Sequence, residues 1–281
     1  MTNLFSNLTV LKKIRFREKF LLAVPFWVGA LLVGLVGVYY AKVFRWAEET
    51  GNLLFREHPL LLFALLPLCM LLARWLVYHF APFARGSGIP QVMTAIEISS
   101  TADTAKTSKL LSLRIALVKG LSSVIMVFGG CIAGREGPTI QISASLFKQL
   151  HDWLPPWFPR ISQRNMIVTG AAAGLAAAFN TPLGGIVFAV EELTKTHISY
   201  FKSALLTGVI VAGMTALAIS GPYLYLGYPE LSTYYMGFVS NVLVVGILTS
   251  IIATITSKLA LSFMQLHRTA FKGKQIGRAS C

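Results

Sequence analysis

Apolar residues run through this chain in stretches longer than a globular core uses. No charged residue interrupts Phe20–Tyr40, Asn165–Val190, Ser203–Pro229 or Leu231–Ser257, and each stretch meets the roughly 20 residues that span a bilayer core. Shorter apolar runs at Pro59–Ala73 and Gly120–Ala133 predict further helices, broken or buried. The pattern predicts an all-α membrane protein that crosses the bilayer several times. Helices are expected near residues 18–49 and 57–80, then a short one from Pro90 through Glu97. Proline at a first helical position loses no needed hydrogen bond, so Pro90 is suited to begin one. Ser99–Lys109, rich in Ser and Thr, reads as an exposed loop. A helix over about 109–128 breaks at Gly129-Gly130 and again at Gly134–Gly137, and a new one runs from Pro138 to about Trp153. Beyond the Pro-rich connection Leu154–Arg160, the run 165–190 holds Asn180-Thr181-Pro182, both a helix stop and a helix start, and so reads as two half-length helices. Spans over roughly 200–220 and 239–267 complete the pattern.

Composition agrees: 55% of residues are apolar, 13% are charged and the mean hydropathy is +0.66. The formal charge of +14 raises nucleic acid as a partner. Its basic residues instead flank the spans without the aromatic interleaving of RNA-binding surfaces, so no nucleic acid is expected. Lys12, Lys13, Arg15, Arg17 and Lys19 precede the first span, and Arg268, Lys272, Lys274 and Arg278 follow the last. Both ends are therefore predicted cytoplasmic. This divides the chain into a basic segment 1–17, a membrane region 18–267 and a basic tail 268–281. The first apolar stretch has the length of a true span and no small-residue cleavage pattern after it, so no cleavable signal is expected. Cys69, Cys131 and Cys281 show no metal-ligand or disulfide spacing and are expected to be inert.

The chemistry lies at the breaks. Non-helical backbone survives at membrane depth only where protein buries it or it lines a watery cavity. Gly-x-x-x-Pro occurs twice, at 86–90 and 134–138. At a helix start the first N–H groups point outward with the positive end of the dipole, and glycines let a ligand approach them. An anion is the natural occupant, held by Gly86, Ser87, Gly88, Ile89 and Pro90 at one break and Arg135, Glu136 and Gly137 at the other. The plain alternative is a tight turn; two copies at membrane depth, one carrying an acid, favour the site. Glu136 can occupy the electropositive spot when ionised and vacate it when protonated, a gate that answers to pH, or it can be a helix-start carboxylate paired with Arg135. Lys119 is a further intramembrane charge, either raising the anion potential or serving as a snorkelling or paired structural residue. Gly170 and Gly174, four apart among alanines, form a small-residue face for close helix packing.

Gly86-Ser-Gly-Ile-Pro90, Gly134-Arg-Glu-Gly-Pro138, and Gly170-Ala-Ala-Ala-Gly-Leu-Ala-Ala-Ala-Phe-Asn180 with Pro182 and Glu191-Glu192 together resemble the CLC chloride channel and transporter family. The resemblance implies a bundle of tilted, partly broken helices built from inverted repeats. It implies a homodimer with one pathway per subunit, set in lipid, with chloride and protons as the transported ions and no cofactor. Ser87 would coordinate the central chloride, and Glu136 would gate the pathway and carry protons. Glu192, beside Glu191, occupies the position of the acid that marks family exchangers, facing the cytoplasm, which favours chloride/proton antiport over a passive chloride channel. Alternatively, Glu191 and Glu192 simply end a helix at the water interface. Serine at 87 resembles chloride-preferring rather than nitrate-preferring members. A bacterial inner membrane is the expected location.

The match covers only the first of the family's two repeats plus the following helix. The Gly-x-Phe-x-Pro loop and late tyrosine that complete the anion site are not in these residues; Gly237-Phe238-Val239-Ser240 lacks the proline. The expectation is a fragment, or half of a protein finished by a missing C-terminal half, that does not transport alone. No His-Glu-x-x-His or Gly-x-Ser-x-Gly pattern is present, so no catalytic residues, no metal and no enzyme are expected.

Overall fold

A computed structural model describes residues 2–99, 106–194, 203–221 and 237–270 of the 281. It divides the chain into two compact units, Met1–Tyr225 and Leu226–Cys281. In the second, one helix is described, Gly237–Ala270, against the expected 239–267.

The first unit begins with α1, a single helix over Thr2–Glu57 that continues through Pro25. It is longer at both ends than the expected 18–49 and carries the basic N-terminal residues on the same helix. At about 1.5 Å per residue it is roughly 80 Å long. It stops where Pro59 disfavours helical backbone at His58, so α2 begins at Leu61 rather than 57 and runs to Phe80. A 3₁₀ turn at Pro82–Ala84 leads to α3, Ile89–Ile98. Part of the expected loop, 100–105, lies outside the described residues. The expected helix over 109–128 is split into a single turn, α4 (Thr107–Leu110), and α5 (Leu113–Phe128). Ser112 causes the split. Its backbone is extended, and its hydroxyl accepts from the Ile115 N–H at 3.3 Å, capping the new helix.

α6 (Glu136–Asp152) and α7 (Gln163–Phe179) form the centre, and the glycines on α7 decide how they meet. A Cβ on Gly174 would fall 2.5 Å from Ser143 Oγ, and one on Gly170 would fall 2.7 Å from the Ser143 carbonyl. The small-residue face read from the sequence thus receives α6 at backbone contact. Buried on α6 are Thr139, Gln141, Ser143, Ser145 and Lys148, polar side chains that lipid would not tolerate.

The break after α7 is as expected. Asn180 takes left-handed backbone (φ 58°), a conformation asparagine tolerates better than most residues. Its N–H and that of Thr181 both reach the Ala176 carbonyl, the latter at 3.0 Å. Pro182 then opens α8, Pro182–Phe188. Unforeseen is the π-helical turn Ala189–Thr194 that follows, with the Thr194 hydroxyl donating to the Ala189 carbonyl at 2.9 Å. α9 (Ser203–Ser220) closes on this region, and a Cβ on its Gly213 would lie 2.6 Å from the Pro182 ring.

Replacing Gly174 by valine is expected to destabilise the protein by about 1–3 kcal/mol, since the added atoms must displace Ser143. Gly120→Ala, whose nearest neighbour stands at an ordinary 3.7 Å, is expected to change stability by no more than about 0.5 kcal/mol. Thermal unfolding of the two variants in the same detergent checks both.

Candidate anion site

The first loop is assembled by side chains reaching in from α5 and α6. Gly86 and Gly88 have φ of 70° and 99°, left-handed backbone that favours glycine, and Gly88 caps the start of α3. Lys119 on α5 is buried, and its ammonium donates to the Ala84 carbonyl at 3.0 Å and to the Gly86 carbonyl. Gln141 on α6 is fully buried. Its amide donates to the Phe83 carbonyl at 3.1 Å and the Leu110 carbonyl at 3.4 Å, and a Cβ on Gly88 would fall 2.7 Å from its Oε1. These two residues fix the loop from below while Gly86, Ser87 and Pro90 stay exposed and Ile89 is half-buried.

The second loop leaves α5 through Gly129 and Gly130 (φ 85°) and enters α6 with Arg135 at its cap. α6 starts at Glu136, two residues before the expected Pro138. Proline is still accommodated, because the first turn's N–H groups have no acceptor inside the helix. Thr139 secures the start, its N–H (3.0 Å) and hydroxyl (2.7 Å) both reaching the Arg135 carbonyl. Arg135 is buried and Glu136 half-buried, with the Glu136 carboxylate Oε2 turned back onto Gly134.

The two loops meet. A Cβ on Gly137 would lie 2.5 Å from the Ser87 carbonyl and 3.2 Å from Ser87 Cβ, so the second residue of α6 sits flush on the residue just before α3's cap. Gly86 through Pro90 and Arg135 through Gly137 are therefore one site, where two helix beginnings and the Lys119 ammonium converge. Helix beginnings and an ammonium both carry positive potential, the sign that attracts an anion.

Glu191 and Glu192 stand apart, exposed on the π-helical turn. Among the described residues they make no hydrogen bond or ion pair with either loop. The sequence left Lys119 open between two roles; the structure gives it the structural tie and, by the same contact, puts its charge beneath the site. Gln141 was missed. Its signal was an amide side chain five residues after Glu136 on the same helix.

Known proteins resemble this chain in sequence and fold. The family model described as voltage gated chloride channel covers residues 69–280. The chain belongs to that family. The H(+)/Cl(-) exchange transporters ClcA of Salmonella schwarzengrund (strain CVM19633) and Salmonella agona (strain SL483) are each 30% identical to it over 278 residues, 95% of this chain and 56% of theirs. The chain thus spans about half the length of the curated relatives it matches. Among solved structures, a slow cyanobacterial Cl-/H+ antiporter superposes with TM-score 0.68 at 26% identity, over 88% of this chain and 58% of that one. A CLC-type fluoride/proton antiporter superposes with TM-score 0.67 over 90% and 60%; at 20% identity it speaks to the fold alone. Five helical segments among the described residues are long and apolar enough to cross a membrane. With the family membership they make this CLC chain an integral, multi-pass membrane protein.

Lys119→Met is expected to cost about 1–3 kcal/mol, since it leaves the Ala84 and Gly86 carbonyls without their donor. Hydrogen exchange across residues 82–92 checks where the loss falls: protection is expected to drop there and to be unchanged in α7.

Proposed function

We propose that this chain carries the outer gate and central anion site of a chloride/proton antiporter. The observation that carries the reading is the contact of Gly137 with the Ser87 carbonyl, which joins two helix beginnings and one acid in a single site. Chloride fits such a site because it brings only acceptor character, meeting backbone N–H groups and the Ser87 hydroxyl as donors. Arg135 and Lys119 add positive charge from beneath. Glu136 at the first position of α6 competes for the same potential when ionised and gives way when it takes a proton, so anion and proton movements are linked through one side chain.

Glu192, with Glu191 beside it, passes protons towards the cytoplasm. Its exposed position on a π-helical turn supports this, since such turns recur at functional sites. The names of the ClcA relatives support exchange over passive conduction. The working protein is read as a homodimer in a bacterial inner membrane, both chain ends cytoplasmic, one pathway per subunit, with chloride and protons as cargo and no cofactor. The rest of each pathway comes from the second repeat.

The test is the full-length gene product in liposomes under a chloride gradient. Protons are expected to move against the chloride gradient's flow in the parent. Glu136→Gln is expected to reduce that proton movement to background while chloride still passes. Chloride flux without proton movement in the parent would identify a passive channel and overturn the reading.

A further inference from the structure

Tyr40 on α1 and Ser123 on α5 place two hydroxyls inside an apolar cluster. Both side chains are buried, and Tyr40 Oη lies 2.8 Å from Ser123 Oγ. Phe44, Val127 and Ile142 surround them, and Ala133, the residue before Gly134, packs against the same cluster. Replacing a hydrogen-bonded pair by two apolar groups of the same shape is close to neutral for stability. Folding alone therefore does not ask for it.

The direction of the bonds does more. Ser123 Oγ donates to the Gly120 carbonyl at 2.8 Å, and a hydroxyl has one proton, so the proton between the pair belongs to Tyr40. The Tyr40 oxygen is left as an acceptor with no proton to offer. An ionised carboxylate has only acceptors and cannot pair with it; a neutral carboxylic acid can. Arg135 and Glu136 follow two and three residues after the Ala133 that packs against this cluster. Lys119, one turn before Ser123 on α5, is directed to the Ala84 and Gly86 carbonyls instead. The Glu136 carboxylate already turns back onto Gly134, one residue from the Ala133 that borders the cluster.

Resting on the antiport reading above, we infer that Tyr40, oriented by Ser123, is a positioning residue for Glu136, its oxygen accepting a hydrogen bond from the neutral acid and rejecting the carboxylate. Protonation then draws the side chain away from the start of α6 towards α1, opening the anion position. Loss of the proton returns it. The pair is thus a docking point that reads the protonation state of the gate.

The sign of the effect follows. An acceptor for the neutral acid favours protonated Glu136, so removing it moves the transition to lower pH. The test is the pH dependence of exchange by the full-length gene product in liposomes. Tyr40→Phe is expected to shift the midpoint by roughly half to one pH unit towards acid, as loss of one hydrogen bond predicts, with the maximal rate at low pH unchanged. Ser123→Ala frees the Tyr40 proton to pair with the carboxylate and is expected to shift it the same way, and Ser123→Thr, which keeps the hydroxyl, to titrate with the parent. Parental midpoints in both Tyr40→Phe and Ser123→Ala, beside a Glu136→Gln that has lost its pH dependence, overturn this inference and leave the antiport reading standing. A Glu136→Gln that keeps the parental dependence overturns both.

Discussion

Lipid cannot hydrogen-bond to peptide groups, so every interrupted helix in this chain has to find partners for its broken backbone within the protein. The structure meets that constraint break by break. Ala84 and Gly86 give their carbonyls to Lys119, and Phe83 and Leu110 give theirs to Gln141. The Arg135 carbonyl is taken by Thr139, and the Ala176 carbonyl by the N–H groups of Asn180 and Thr181. In each case it is a carbonyl that is satisfied. At the starts of α3 and α6 the orphan groups are N–H donors, and these are what the converging loops present. The same requirement that ties the loops' carbonyls to protein donors also leaves their positive ends as the chemically distinctive surface.

Glycine makes the close approach of these elements possible. Gly137 meets Ser87, Gly88 meets Gln141, and Gly170 and Gly174 meet Ser143, so α6 touches its neighbours at positions where a methyl group would not fit. α6 is buried along most of its length and is too polar to face lipid. Its far end is held as firmly as its start: Lys148 donates to Asp152 and to Ser108, each at 2.5 Å. Buried and paired, Lys148 joins α6 to α4, as Gln141 joins it to the loop before α3.

Long, strongly apolar segments were legible in the sequence because span length and the absence of charge are properties of single segments. The breaks were legible too, since Gly-x-x-x-Pro and Asn-Thr-Pro act through local backbone geometry, and the Gly170/Gly174 face found its partner. Boundaries were less so. Pro59 ended α1 later than polarity implied, and Ser112 cut a helix that hydropathy ran together. The π-helical turn at 189–194 left no mark in composition. Of the site, the loops could be named, but not that Ser87 and Gly137 touch, because that contact is set by α5 and α6 packing between them. Gln141, Tyr40 and Ser123 are ordinary residues in sequence. Their roles come from which carbonyl or hydroxyl lies opposite.

Rigidity decides where change can occur in such a site. Rocking α6 away from α3 would open the gap at Gly137, and rocking it the other way would drive its start into the Ser87 carbonyl; tilting about α7 meets Ser143 against Gly170 and Gly174. Close-packed interfaces of this kind do not deform continuously. The half-buried Glu136 side chain is attached at the first turn and folded over Gly134, a residue with no side chain of its own. In the proposed reading, a gate built from one side chain on a closely packed helix needs only rotation about side-chain bonds, which is fast compared with the movement of whole helices. It also needs a defined place to go in each state. In the proposed reading, the amides at the start of α6 are the place for the carboxylate, and the Tyr40 hydroxyl, whose own proton is already committed to Ser123, is the place for the acid.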